Sequence, residues 1–184
     1  MDIISHGLWA GVVAKFAEKK SGKPLNAWLA AFWGIFPDLF AFTVPFIWLF
    51  VEVISGDIAV SKLPKPDAGE PPGFLSNLKV FQLASSLYNV SHSLIVFGAC
   101  LLFAYWILKR MPWEMFGWLF HILIDIPTHP YNFFPTPLFW PISTWKFTHG
   151  FAWGVAWFVT LDIIALISVY FYLWRKGMLF KKKK

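Results

Sequence analysis

The fold is decided by the stretch 25-LNAWLAAFWGIFPDLFAFTVPFIWLFVEVIS-55, in which Asp38 and Glu52 are the only charged residues. A helix needs about 20 consecutive apolar residues to cross the hydrocarbon layer of a membrane, so this stretch predicts a transmembrane helix. The whole chain agrees, because 58% of its 184 residues are apolar and only 14% are charged. A soluble domain has roughly 45–50% apolar and about 25% charged residues. The composition therefore predicts a membrane protein with a single domain, residues 1–184.

Three further segments are predicted to cross the membrane, namely 80–108, 112–130 and 147–174. The second of these is barely long enough, so we expect it to be buried among the others. Residues 3–18 are too short for an ordinary span and are expected to form a half-helix or an interfacial helix. The expected fold is an all-α, multi-pass helical bundle of four long spans plus a short N-terminal helix.

The basic residues indicate how the chain is oriented. They cluster at 19–23, at 109–110 and at 175–184, each beside an apolar span. With four spans these clusters lie on one side, which the positive-inside rule makes cytoplasmic. We therefore expect a multi-pass protein of the cell (inner) membrane with a cytoplasmic C-terminus and with proline-rich loops at 56–79 and 130–145 outside. The net charge of +6 indicates membrane orientation, and no nucleic-acid partner is predicted.

The stretch 121-HILIDIPTHP-130 carries the strongest chemical signal. His121, Asp125 and His129 are four residues apart, a spacing that places side chains on one face of a helix. Two imidazoles and a carboxylate on one face are able to hold a metal ion. The chain has a single cysteine, Cys100, which excludes a four-thiolate zinc site and any disulfide framework.

Other polar residues fall at a similar depth in the predicted membrane. At 1.5 Å per residue, Asp38, His92 and the residues of the 121–130 stretch lie about 14–26 Å above the cytoplasmic ends of their spans. Ionisable groups inside a membrane usually mark a functional site. The candidate metal ligands are therefore His6, Asp38, His92, His121, Asp125 and His129, while His149 and Asp162 are left open.

Non-catalytic interpretations of these residues exist. His121 and Asp125 are also suited to a hydrogen bond between helices. Asp38 is also suited to accept hydrogen bonds from backbone donors that Pro37 frees in a kinked helix.

Several short motifs resemble a known family. They are His6-Gly7, Pro37-Asp38, Ser91-His92-Ser93, His121-x-x-x-Asp125 and Thr128-His129, and in this order they resemble the LexA-binding, inner-membrane-associated metal-dependent hydrolases. The order also resembles, remotely, that of zinc-dependent phospholipase C, in which an aspartate like Asp125 bridges two metals. Phospholipase C has a glutamate four residues after its last histidine, whereas here Trp153 follows His149. The resemblance thus implies a phospholipase C-like arrangement of ligands for one or two zinc ions. Other divalent metals are alternatives to zinc.

The resemblance implies a membrane-embedded hydrolase, a phosphoesterase that acts on lipid or phosphoester substrates through a metal-bound hydroxide. Asp38 and Asp125 are the expected catalytic residues, Asp125 as a bridging ligand and Asp38 as a ligand or a base. Two other functions remain open. Polar residues at mid-membrane also line the pathways of metal-ion or proton-coupled transporters, and the histidines also suit a structural membrane protein without catalytic activity.

Overall fold

The computed structural model describes residues 1–63 and 78–179. Every regular element in these ranges is helical, which confirms the all-α prediction. The final lysines and most of the predicted loop 56–79 lie outside the described residues. The α-helices are α1 (Ile3–Ser21), α2 (Ala27–Ser55), α3 (Lys79–Ser91), α4 (Leu94–Leu108), α5 (Phe116–Thr128) and α6 (Ala156–Arg175), with short 3-10 helices at Val60–Lys62 and Trp113–Met115.

The long helix α2 organises the packing. It begins after Asn26, whose side chain accepts hydrogen bonds from the backbone N–H groups of Trp28 and Leu29, the usual cap of a helix N-terminus. It ends at Gly56, whose φ of 85° is readily adopted by glycine. Helices α1, α3 and α5 all pack against α2, and α1 also contacts α5 and α6. Side chains from several helices can therefore meet at the middle of α2.

The number of predicted spans is corrected by the structure. Of the described helices, two are long and apolar enough to cross a membrane, α2 and α6, or three if the bent pair α3 and α4 forms one span. The predicted span 112–130 is wrong because α5 has only 13 residues, which extend about 20 Å against the roughly 30 Å of the hydrocarbon layer. The predicted span 147–174 is also shorter, since α6 begins only at Ala156.

The predicted continuous span 80–108 is broken in its middle. Helices α3 and α4 meet at a bend of 60°. The Ser93 side chain accepts hydrogen bonds from the N–H groups of Ile95 and Val96, so it caps a new helix instead of continuing the old one. Its hydroxyl also donates to the Trp140 carbonyl at 2.5 Å. The break leaves His92 between the two helices.

Two glycines permit the close approach of helices around α2. A Cβ atom at Gly34 would lie 2.6 Å from the Cβ of Ala10 and 2.8 Å from the carbonyl oxygen of His6. A Cβ atom at Gly117 would overlap the carbonyl oxygen of Ala30. Any larger residue would thus push α1 or α5 away from α2. These contacts bring three helices together at the level of His6 and His121.

The outer surface of the helices is apolar. On α6, Leu161, Ile164 and Phe171 each expose more than half of their surface, and α2 exposes Phe46 and Phe50 in the same way. Soluble proteins rarely expose large contiguous apolar patches. This surface is consistent with the association with a membrane that the hydropathy of α2 and α6 indicates.

Candidate metal centre

Four buried residues from three parts of the fold converge on one point. They are Asp38 from α2, His92 from the break between α3 and α4, and His121 and Asp125 from α5. One ligand atom of each lies within 4.8 Å of the others. His92, His121 and Asp125 have no exposed surface, and Asp38 exposes only 5%. The group could therefore hold a metal ion away from water.

The spacing of the four ligand atoms is compatible with a metal site. The Nε2 atoms of His92 and His121 are 2.9 Å apart, and each lies 3.2 Å from Oδ2 of Asp125. Oδ1 of Asp38 is farther, at 3.6 Å from His92 and 3.7 Å from His121. Zinc bonds of about 2.0–2.1 Å at tetrahedral angles place neighbouring ligand atoms about 3.3 Å apart. The observed separations, from 2.9 Å to 3.7 Å, lie on both sides of that value.

His121 is held so that its Nε2 atom faces the other ligands. Its Nδ1 atom lies 2.7 Å from the carbonyl oxygen of Gly34. A carbonyl only accepts hydrogen bonds, so Nδ1 carries the proton. In the neutral imidazole Nε2 then presents a lone pair, as it does in metal-binding histidines that are oriented by a carbonyl.

His92 is oriented in the same way by its own helix. Its Nδ1 atom lies 3.2 Å from the carbonyl oxygen of Tyr88 and 2.9 Å from the Ser91 hydroxyl. The imidazole also stacks on the Tyr88 ring, with 3.7 Å between ring centroids. The proton on Nδ1 again leaves a lone pair on Nε2. Two nitrogen lone pairs and two carboxylates therefore face one another, an arrangement that a cation would stabilise.

Asp125 stands between two sets of histidines. While Oδ2 faces His92 and His121, Oδ1 lies 2.9 Å from Nε2 of His6 and 3.4 Å from Nε2 of His129. The α-amino nitrogen of Met1 lies 3.0 Å from the same oxygen. One carboxylate thus offers an oxygen to each set of histidines.

Some polar atoms of the cluster have no hydrogen-bond partner among the described residues. These buried atoms include Oδ2 of Asp125 and both ring nitrogens of His6, since the 2.9 Å approach of His6 to Asp125 lacks hydrogen-bond geometry. Buried polar groups are satisfied in the great majority of cases. A metal ion bound to Asp125 would satisfy Oδ2, so the residues present fit such an ion.

His6 and His129 are placed beside the cluster by the ends of two helices. His6 lies in the second turn of α1 and its ring stacks on His121, with 3.7 Å between centroids. His129 ends α5 and remains close to Asp125 although Pro127 lies within the last turn of that helix. Its Nδ1 atom lies 3.0 Å from the carbonyl oxygen of Phe134, so Nε2 again faces Asp125.

The two residues that the sequence left open do not join the group of four. His149 is exposed, with its Nδ1 atom 3.2 Å from the hydroxyl of Thr148. The Asp162 carboxylate accepts hydrogen bonds from Ser5 at 2.6 Å and from Trp9 at 2.7 Å. Asp162 thus links α6 to α1, in the turns that carry His6.

Sequence reasoning missed two groups that orient the ligands. One is the carbonyl of Gly34, which precedes Asp38 by one helical turn, and the other is Tyr88, which precedes His92 by one turn. Their position four residues before Asp38 and His92 was the sequence signal that could have identified them, because residues four apart on a helix are neighbours. No family model, curated protein or solved structure matches this chain. The candidate metal centre therefore rests on the residues and geometry of the chain itself.

Proposed function

We propose that this chain is a membrane-embedded, metal-dependent hydrolase that binds zinc and cleaves phosphoesters in lipid or related substrates. The observation that carries the proposal is the convergence of Asp38, His92, His121 and Asp125 in a buried group with metal-like spacing. The reaction class comes from the resemblance of the motifs to membrane-associated hydrolases and to phospholipase C.

Zinc is the metal that suits these donors best. Imidazole nitrogen with carboxylate oxygen in a tetrahedral arrangement is a common zinc environment. Magnesium prefers six oxygen ligands in octahedral geometry, and two of the four atoms here are nitrogen. The separation of the two Nε2 atoms, 2.9 Å, also suits two ligands of one small ion.

Asp38 has a different role from His92, His121 and Asp125 in this proposal. Its Oδ1 atom stands 3.6–3.7 Å from the histidine nitrogens, whereas Asp125 stands at 3.2 Å. Catalytic zinc sites use three protein ligands and keep a fourth position open. With His92, His121 and Asp125 as the three ligands, Asp38 lies within reach of a water molecule at the fourth. We therefore assign Asp38 as the general base.

The hydrolysis balances with this assignment. The oxygen of a water molecule forms a bond to phosphorus, and the bond from phosphorus to the leaving oxygen breaks. Asp38 accepts the proton of the water and returns it to the leaving oxygen, which departs as an alcohol. Zinc, when bound, supplies activation of the water and stabilisation of the leaving group.

Asp125 supports a second ion in the proposal. Its Oδ1 atom faces His6 and His129 while Oδ2 faces the first site. Paired metals joined by a carboxylate are frequent in enzymes that cleave phosphoesters. We propose one ion at His92 and His121 and a second at His6 and His129, where the α-amino nitrogen of Met1 also lies 3.0 Å from Oδ1 of Asp125.

The membrane topology is also part of the proposal. Residues near each basic cluster meet at one end of the fold, where Glu114 accepts a hydrogen bond from the N–H of Asn26 and shares one cavity with Lys15 and Leu179 and another with Arg110. Lys and Arg concentrate on the cytoplasmic side of membrane proteins. We therefore propose a multi-pass protein of the inner membrane, with this end and the C-terminus in the cytoplasm.

Purified, zinc-loaded protein in detergent tests the proposal with a chromogenic phosphodiester. Asp38→Asn should lower kcat by about 100-fold or more, the usual contribution of a general base, and zinc content should stay close to wild type. Asp57→Asn is the matched control because Asp57 is exposed and should leave kcat unchanged. Equal hydrolysis by the two variants would refute the role of Asp38 as the general base. Rapid zinc exchange across liposomes with no turnover would identify a transporter instead.

A further inference from the structure

A cavity of about 380 Å³ adjoins the metal centre. Its polar end is formed by Asp38 and His129, beside Asp2. Most of the remaining wall is aromatic and includes Phe42, Phe46, Phe81, Phe133, Phe134 and Trp153, while Met1, Ile3, Ile4 and Pro45 complete the lining. A volume of this size falls within the range of small-molecule sites, about 300–1,000 Å³. The cavity thus has a chemically reactive end and an apolar remainder.

The apolar part of the cavity follows α2 away from the metal centre. Phe42 and Phe46 come one and two helical turns after Asp38, so they lie about 6 Å and about 12 Å from it along the helix. Phe42 packs edge-on against Phe134, with 5.0 Å between ring centroids. The aromatic wall of the cavity therefore extends along α2 away from Asp38.

The far end of the cavity opens toward the apolar surface of the protein. Phe46 exposes 52% of its surface and Ile4 exposes 73%, and both belong to the cavity wall. Phe46 lies on α2, one of the helices long and apolar enough to span a membrane. The cavity wall therefore includes apolar side chains that are exposed on the surface of the protein, where a hydrocarbon chain could enter.

Phe134 connects the cavity to the metal centre. It has a positive φ of 48°, which costs free energy for any residue except glycine. In this conformation its carbonyl oxygen lies 3.0 Å from Nδ1 of His129, and its ring packs on Phe42 and Tyr88. A single residue thus orients a candidate ligand and forms part of the apolar wall.

We infer that this cavity binds one hydrocarbon chain of the substrate, with the ester at the Asp38 and His129 end and the chain running along Phe42 toward Phe46. The inference rests on the proposed hydrolase function. An extended chain advances about 1.2 Å per bond, so the 12 Å between Asp38 and Phe46 accommodates about ten carbons. The substrate class is therefore a phosphoester of a long-chain alcohol or of a lipid that carries such a chain.

Binding of non-cleavable alkyl phosphonates, from butyl to tetradecyl, tests the inference on purified zinc-loaded protein in detergent. Burial of each methylene contributes about 0.8 kcal/mol, which is roughly a fourfold fall in Kd per carbon. Kd should fall steadily up to about ten carbons and then level off. The phosphonates partition into detergent equally for every variant. Differences in Kd among variants therefore measure binding in the cavity.

Two variants locate the chain along the cavity. Phe134→Gly removes the ring but keeps the positive φ, which glycine adopts without strain, so zinc content should be retained while all chain lengths bind more weakly. Phe46→Ala, at the exposed mouth, should weaken decyl binding about tenfold and butyl binding much less. Phe171→Ala, whose ring is exposed on α6, is the control and should change neither.

The outcomes separate this inference from the proposed function. Equal Kd values for butyl and decyl phosphonate in the wild type, or equal effects of Phe46→Ala and Phe171→Ala, would overturn the cavity assignment even if phosphodiesters are hydrolysed. Chain-length dependence with the expected variant effects but without hydrolysis of any ester would retain the cavity and reject the enzyme.

Discussion

His121 donates the proton on Nδ1 to the carbonyl oxygen of Gly34 across 2.7 Å. Gly34 lies one turn before Asp38 on α2, and Asp125 lies one turn after His121 on α5. Helix α2 thus contributes Asp38 to the centre and α5 contributes His121 and Asp125, while the hydrogen bond between the helices fixes the orientation of His121. Carbonyl partners of this kind raise metal affinity because they hold the imidazole in one tautomer.

Gly34→Ala should therefore weaken both the fold and the centre. The added Cβ would lie 2.6 Å from Ala10 and 2.8 Å from the His6 carbonyl oxygen, so α1 and α2 must separate. We expect a loss of about 1–3 kcal/mol in stability and a 10–100-fold weaker zinc affinity. Thermal unfolding in detergent and competition with a zinc chelator measure the two effects.

Gly98→Ala is the matched control for this change. A Cβ atom at Gly98 meets nothing within 4 Å, and alanine is a better helix former than glycine by about 1 kcal/mol. We expect unchanged zinc affinity and equal or greater stability. Equal losses in the two variants would contradict the assigned role of Gly34.

The proposed bridging role of Asp125 predicts two ion sites that can be lost separately. His129→Ala should lower zinc content from about two ions per chain to about one, because His129 faces only Oδ1 of Asp125. The ion at His92 and His121 should remain. Elemental analysis after dialysis measures the stoichiometry, and a wild-type content of about one ion that His129→Ala leaves unchanged would argue for a mononuclear centre.

Replacement of Asp162 should destabilise the packing of α1 without affecting the ion at His92 and His121. Its two oxygens accept hydrogen bonds from Ser5 and Trp9, and Asp162→Asn replaces one acceptor with a donor. We expect a loss of about 1 kcal/mol because the hydrogen-bonded groups are only partly buried, and thermal unfolding measures it. The ion at His92 and His121 should stay bound. Stability equal to the wild type would show that the link to α6 is dispensable.

The sequence predicted the parts of the site that depend on local spacing. His121 and Asp125 are four apart on a helix, and their side chains do share one face in the structure. Asp38 and His92 were matched to them only by depth along their spans, and the structure brings both to the same point. Depth was informative because a polar group in a membrane needs a partner at its own level.

The errors in the fold have a common physical origin. Hydropathy is continuous through 80–108, so it carries no sign of the bend at Ser93, which depends on a serine side chain that caps α4. The stretch 147–155 is as aromatic as a span but is held irregular, with the N–H groups of Phe151 and Trp153 bonded to the carbonyls of Pro127 and Thr128. Long-range hydrogen bonds of this kind leave no periodic pattern in the sequence.

The most direct test of the central claim is the zinc content of purified wild type, His121→Ala, Asp125→Asn and His149→Ala. His149 is the control because it is exposed and lies outside the group of four. We expect about one to two zinc ions per chain in the wild type and in His149→Ala, and loss of most of them in the other two variants with the fold intact by circular dichroism. Equal zinc content in all four proteins would contradict the existence of the metal centre.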